Sequence, residues 1–226
     1  MCGRFANLVP KEAMAQLFDA QLGNDLPDVP NFNICPTNQV HVVTSQDGVR
    51  HVTSMRWGFI PHWYKKPAGG PLLINARGET IAEKPAFRAA VRERRCLVPA
   101  TGFYEWTKDA NENRLPWYIH RTDGEPITFA GVWQTWERDG EAHTTCAIVT
   151  TGAGQGMQAV HHREPVTLQP QDYALWLGEE GKGAVKLLHH APEEHFTFFR
   201  VDRAVNSNRA TGAQLIAPLD MSDGDI

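Results

Sequence analysis

Three Asp-Gly pairs, at 47–48, 123–124 and 139–140, each stand between runs rich in β-branched and aromatic residues. Asp-Gly lets both central residues of a tight turn adopt positive φ, which matches the twist of paired strands, so each pair predicts a hairpin. The flanking runs predict strands over 40–44, 49–57, 115–120, 127–133 and 143–150, with further strands over 72–74, 96–99, 102–107 and 196–201. Helical periodicity is confined to short stretches: 10–21, with Met14, Leu17 and Phe18 on one side, 80–94 broken or restarted at Pro85, 170–177, and 184–190. The stretch 22–30 reads as loop and 31–39 as an irregular polar segment in which Pro36 biases Cys35 towards extended geometry. The expected fold class is α+β, a largely antiparallel mixed β-sheet or pseudo-barrel with short peripheral helices. One domain over 1–226 is expected, with a core over about 2–218 and a flexible acidic tail at 219–226 carrying Asp220, Asp223 and Asp225.

Hydrophobic residues at 42% and charged residues at 21% supply a core without the excess charge of a disordered chain. A net charge of −4 argues against a protein basic over its whole surface, as general nucleic-acid binders are. A local groove remains open, because Arg77, Lys84, Arg88, Arg92, Arg94 and Arg95 outweigh Glu79, Glu83 and Glu93 within one stretch. No basic-then-apolar leader and no bilayer-length apolar run occur, so a cytoplasmic protein with no membrane association is expected. Cys2, Cys35, Cys96 and Cys146 are far apart in sequence and form no C-x-x-C pair, which suggests neither a disulfide framework nor zinc. His189, His190, Glu193, Glu194 and His195 make no typical catalytic metal motif. The glycines at 152, 154 and 156 lack the strand-to-helix context of a dinucleotide fingerprint. No metal and no cofactor are expected.

The chemistry of the chain is concentrated at Cys2. Removal of Met1 would leave one residue bearing an α-amine and a thiol on adjacent carbons. Such a pair can attack an aldehyde twice, first as a Schiff base and then by closing a five-membered thiazolidine ring. With a reference pKa of about 8 against about 10.4 for lysine, the α-amine is far more often neutral and nucleophilic at pH 7. Glu105 lies in the run 102–106, where strand alternation sets Phe103 and Glu105 on one face and Tyr104 and Trp106 on the other. A carboxyl among aromatic rings is partly desolvated, which raises its pKa and equips it to give as well as take a proton. Trp57 is expected in the core, whereas Trp63 and Tyr64, beside Pro61, Lys65 and Lys66, are candidates for stacking on unpaired bases. Consecutive side chains diverge, so only one of His161 and His162 is expected to face any one site.

The set Cys2-Gly3-Arg4-Phe5, Asn33-x-x-Pro36, Trp57-Gly58, Pro61-x-Trp63, Ile74-Asn75-Ala76-Arg77-x-Glu79-Thr80, Gly102-Phe103-Tyr104-Glu105-Trp106, His161-x-Arg163-x-Pro165 and Val205-Asn206 resembles the SOS-response-associated peptidase (SRAP) family of abasic-site processing proteins. The resemblance runs in order over residues 2 to about 218. It implies a SRAP-like fold and a DNA-damage response protein that crosslinks covalently through Cys2 to abasic sites in single-stranded DNA, with lyase-type Schiff-base chemistry and cysteine peptidase activity. Carried over, Cys2 is the nucleophile, Asn75 orients the adduct, Glu105 moves protons and His161 is the acid or base at the sugar hydroxyl. Arg4, Arg77 and Arg163 would contact phosphates, and Asn33, Pro36, Trp63 and Tyr64 would shape the strand groove. The implied partner is single-stranded DNA containing abasic sites, bound by a monomer that associates with the nucleoid. Alternatives are a cysteine peptidase acting through the Cys2 thiol, with removal of its own Met1 as the minimal case, and a non-covalent single-strand binder. The sequence departs from the family pattern at Cys35, a second thiol near the groove, and at Glu164, an acid where a less charged residue is common.

Overall fold

The computed structural model describes residues 2–219 of the 226. Its strands, in chain order, are β1 Phe5–Asn7, β2 Ala20–Leu22, β3 Asn31–Ile34, β4 Gln39–Gln46, β5 Val49–Trp57, β6 Asn75–Arg77, β7 Arg95–Ala100, β8 Gly102–Lys108, β9 Arg114–Arg121, β10 Ile127–Arg138, β11 Glu141–Gly152, β12 Arg163–Pro165 and β13 Phe196–Arg200. The helices are short: α1 Lys11–Phe18, α2 Ala90–Glu93, α3 Gln155–Gln158 and α4 Tyr173–Leu177.

Two sheets result. The smaller has the order β13-β9-β8-β1-β3. In the larger, β12-β11-β10-β7-β4-β5-β2, the strand β11 also pairs in parallel with β5, through Thr145 opposite Arg56 and Cys146 opposite Trp57. That pairing joins β11, β10, β7, β4 and β5 into a closed, barrel-like circuit, and β6 adds in parallel along β11. Closure removes the unpaired edges that an open sheet would expose. The expected mixed, mainly antiparallel pseudo-barrel with short helices is therefore what forms.

Packing explains why several strands are apolar throughout rather than alternating. In β7, Cys96 and Val98 face one apolar cluster and Leu97 the other; in β11, Cys146 and Ile148 alternate in the same way with Ala147 and Val149. One cluster joins the circuit to the smaller sheet through edge-on rings, Phe5 against Trp57 at 5.1 Å and against Phe129 at 5.9 Å, and Phe103 against Phe129 at 5.9 Å. Each such pair adds roughly 0.5–1.5 kcal/mol beyond its buried area. The other cluster lies under α1 and α4, which bury Met14, Phe18 and Trp176. Trp57 is fully buried, as expected, and its indole N–H donates to Ile74 O at 2.9 Å.

Two of the three Asp-Gly turns are two-residue hairpin turns, with φ of 52° and 80° at Asp47-Gly48 and 52° and 82° at Asp139-Gly140. At 123–124 only Gly124 has positive φ, 76°, and no hairpin forms; β9 instead pairs with β8 and β13, and β10 crosses to the other sheet. The stretch 31–34, read as irregular, is β3, and 20–22, read as the end of a helix and the first residue of a loop, is β2; both are recruited by long-range partners. The strand expected over 72–74 begins later, at Asn75: Leu72 is 50% exposed and Leu73 makes only an isolated bridge to Phe59. Only the last turn of 80–94 is α-helix; the rest is a chain of turns. Leu219, at the start of the expected tail, donates its N–H to Arg200 O at 2.9 Å, and 220–226 lie outside the described residues.

His41, on β4, is 2% exposed and faces the Asn7 side-chain amide, 3.4 Å from its Nδ1. Burial, with the Lys11 charge adding, pushes its pKa down to about 4 from 6.5. Between those values the unfolded chain binds a proton that the folded one refuses, so stability is complete above pH 6.5 and is lost as pH falls towards 4. His41 should thus remove about 3 kcal/mol between pH 7 and pH 4. Urea melts of the parent and His41→Gln at both pH values test this: the pH-dependent difference should shrink by that amount in the variant.

Candidate functional site

The N-terminal residues are held as part of a sheet rather than as a loose end. β1 lies between β8 and β3, with Phe5 opposite Phe103 and opposite Ile34, and the Tyr104 N–H donates to Arg4 O at 2.9 Å. Continuing the β1–β8 register towards the N-terminus brings Cys2-Gly3 alongside Glu105. Cys2 is fully buried in the cluster that contains Phe103, Ala153, Met157, Ala191 and Phe196. Asn75, at the head of β6, donates its side-chain N–H to the Cys2 carbonyl at 2.8 Å. Its Oδ1 is buried and finds no hydrogen-bond partner among the described residues, so an acceptor is presented beside Cys2.

Glu105 is 3% exposed. Alternation along β8 is as expected: Phe103 faces the Cys2 cluster, while Tyr104 packs on the opposite face, its ring 6.4 Å from that of Trp106. Burial raises the pKa of Glu105, against the pull of positive charge from His162 and Arg114. Burial also drives the Cys2 thiol far above its ordinary range, and the charge of Glu105 pushes it the same way. Burial thus favours the protonated form of the thiol and of the carboxyl beside it.

His161 and His162 follow α3. The expectation that they diverge is corrected: they sit in a bend, outside the strand geometry that forces alternation, and their rings stack at 4.3 Å and 28°. His161 is half-buried and His162 exposed. The Arg163 N–H donates to His161 Nδ1 at 3.0 Å, and Arg163 O lies 3.1 Å from the same nitrogen. Neutral imidazole accepts from the one and protonated imidazole donates to the other, so both charge states have a partner at that atom. Burial lowers the His161 pKa; the His161 charge is the main cause that lowers His162.

Of the arginines assigned to phosphates by resemblance, two are occupied within the protein. Arg4 is 6% exposed; its guanidinium donates to Asn33 Oδ1 at 2.7 Å, Val205 O at 2.8 Å and Asn208 Oδ1 at 2.5 Å. Arg163 forms a two-pronged pair with Glu79, at 2.8 and 3.0 Å, and donates to Thr150 O at 2.8 Å. Arg77, two residues after Asn75, is exposed. Asn33 is also buried, donating to Ser207 O and Ala210 O. Pro36 is half-buried and Trp63 is 45% exposed, its ring edge-on to Tyr64, whose hydroxyl donates to Pro71 O. Sequence reading did not single out Arg114, which lies 4.5 Å over the Trp106 ring, or Asn208. Asn208 meets Arg4 from 204 positions away, and Arg114 reaches Trp106 from the neighbouring strand β9, a pairing that no motif in the sequence marks. Among the described residues no group of three or more His, Cys, Asp or Glu could hold a metal. No helix among them is long and apolar enough to cross a membrane.

The model of the SOS response associated peptidase (SRAP) family matches residues 1–208. The abasic site processing protein YedK of Escherichia coli is 33% identical over 227 residues, covering 97% of this chain and all of that protein. YoqW of Bacillus subtilis, also called an abasic site processing protein, is 30% identical over 96% of this chain and 99% of its own length. HMCES of the rat, with the same description, is 29% identical over 98% of this chain and 77% of its own. A crystal structure of a protein from Bacteroides thetaiotaomicron superposes with a TM-score of 0.84 at 24% identity, over 96% of this chain and all of the other.

Because His161 is the main influence that lowers His162, His161→Ala should raise the His162 pKa towards the ordinary imidazole value. An NMR titration of the imidazole protons reads this directly; an unmoved His162 pKa would show that the stacked pair is not coupled.

Proposed function

Because the chain belongs to the SOS response associated peptidase family, we propose that it processes abasic sites in DNA, bonding through Cys2 to the ring-opened aldehyde of the damaged sugar in a single strand. The observation that carries this reading is the Cys2 setting: a buried thiol beside Glu105, with the Cys2 carbonyl fixed by Asn75. Once Met1 is removed, the neutral α-amine adds to the aldehyde carbon and gives a carbinolamine. Glu105 protonates the hydroxyl, which leaves as water, and a Schiff base remains. The thiol sulfur then adds to the carbon of the protonated imine as its proton passes to the Glu105 carboxylate, which restores the acid, while the nitrogen takes the C=N electron pair and the thiazolidine closes. One water is lost overall. His161 serves as acid or base at the sugar hydroxyl, and Asn75 Oδ1 offers an acceptor to the reacting groups.

The same burial weighs against a thiol-only peptidase. Such an enzyme needs a thiolate, and a thiolate needs a setting that lowers the thiol pKa. Here the surroundings raise it. A purely non-covalent binder would have no use for an acid buried next to Cys2.

Incubation of the mature protein with an abasic oligonucleotide should give a band that survives denaturation. Cys2→Ser should still be trapped by borohydride as a Schiff base but lose the stable adduct, and one extra residue before Cys2 should abolish both. Glu105→Gln should slow adduct formation on the order of a hundredfold while leaving DNA affinity near the parent value. A rate within about twofold of the parent would reduce Glu105 to a structural part.

Of the three arginines assigned to phosphates, Arg4 and Arg163 are occupied within the protein, and the exposed Arg77 is the one placed to meet a phosphate. Arg77→Ala should reduce the slope of log affinity against log salt by about 0.7, the single-strand value for one contact. Arg4→Ala should leave that slope unchanged and lower the melting temperature instead, since it strands buried oxygens. A slope change in Arg4→Ala equal to that in Arg77→Ala would return Arg4 to the DNA interface.

A further inference from the structure

Glu164 is 1% exposed on β12, opposite Thr151 of β11. Its two oxygens take two backbone donors from separate segments: Oε2 accepts from Gly154 N–H at 3.0 Å and Oε1 from Ala191 N–H at 2.7 Å. Gly154 opens the stretch 153–162, and that stretch is a closed loop, because Ala153 N–H donates to His162 O at 3.1 Å. Inside it, Gln158 N–H donates to Gly154 O, and the N–H groups of Val160 and His161 both donate to Met157 O at 2.9 Å. Hydrogen bonds, together with the Met157–Gln158 peptide bond, therefore link the Glu164 carboxyl to the backbone of His161. Ala153 and Met157 of this loop, and Ala191 of the second segment, belong to the apolar cluster that encloses Cys2.

An acid is the side chain of this length that can accept at both ends; glutamine would turn its NH₂ towards one of the two N–H donors, and an apolar residue would leave both buried donors unmatched. Burial raises the Glu164 pKa, opposed by its two backbone N–H partners and by His190. A buried carboxyl is a costly way to join two loops if apolar packing would do as well.

We propose that Glu164 is a positioning residue for the adduct-forming reaction, fixing the loop that carries His161 by clamping Gly154 and Ala191. This rests on the reading of the site given above. Glu164 itself touches neither substrate nor reacting atom; it acts through His161.

The test uses the mature full-length chain and an oligonucleotide with one abasic site. Glu164→Gln should slow adduct formation on the order of tenfold, short of the roughly hundredfold that a misplacement of about 1 Å can cause. Its affinity for the same DNA should stay at the parent value. In a His161→Ala background the same substitution should change the rate by less than about twofold, because the group it positions is gone. An equal loss in both backgrounds, or no loss in the parent background, overturns the proposal. Amide hydrogen exchange provides a readout that does not need activity: protection should fall at Gly154, Ala191 and His161 together. Loss at Gly154 and Ala191 alone overturns the proposal even if the parent forms no adduct, in which case the functional reading fails separately. Should Glu164→Gln not fold, Glu164→Met, which drops both bonds without opposing a donor to a donor, is read the same way.

Discussion

The parallel pairing of β11 with β5 closes the circuit of strands, and it also determines where the chemistry can be. β11 is the strand with most partners: β10 and β12 run antiparallel to it, β5 and β6 parallel. Its second half receives Asn75 and Arg77 on one side, opposite Ile148 and Thr150, and Arg163 and Glu164 on the other, opposite Gly152 and Thr151. Residues from two distant parts of the sequence, 75–77 and 163–164, are thereby set at one end of a single strand. A site built on paired backbone is held more firmly than one carried by loops alone.

Much of this frame was legible from local pattern. The turns at Asp47-Gly48 and Asp139-Gly140 announced β4–β5 and β10–β11, because a two-residue turn of that type has few alternatives. The two faces of β8 followed from alternation alone. β2, β3 and β6 were missed or misplaced because each has 3 or 4 residues and exists only through a partner far away in sequence. In the site, which charged side chains are tied within the protein was not readable. Whether an arginine is a free cation or a buried tie depends on acceptors such as Val205 O and Thr150 O, and backbone oxygens leave no trace in sequence. The stacked histidines were misjudged because a rule for strands was applied to a bend.

The electrostatics of the site have one direction. Burial favours the uncharged form of both the thiol and the carboxyl beside it. A protonated thiol is a poor first nucleophile and a suitable second one, provided a base is at hand when the imine has formed. An acid of raised pKa is a good donor to a leaving hydroxyl and, once ionised, that base. The proposed order, amine first and sulfur second, accords with the polarity of these surroundings.

Arg4 has a consequence for biosynthesis. Its guanidinium bonds reach residues 201 and 204 positions further along the chain, at Val205 and Asn208. Contacts of such separation form late, after the intervening chain has been made and folded. While the ribosome is still adding the last twenty or so residues, β3 and β8 can already flank β1, but the Arg4 guanidinium still lacks the acceptors Val205 O and Asn208 Oδ1. The N-terminal segment is the first part synthesised, yet its arginine tie is among the last contacts to be completed, so a chain truncated before residue 205 keeps β1 without the bonds that lock Arg4.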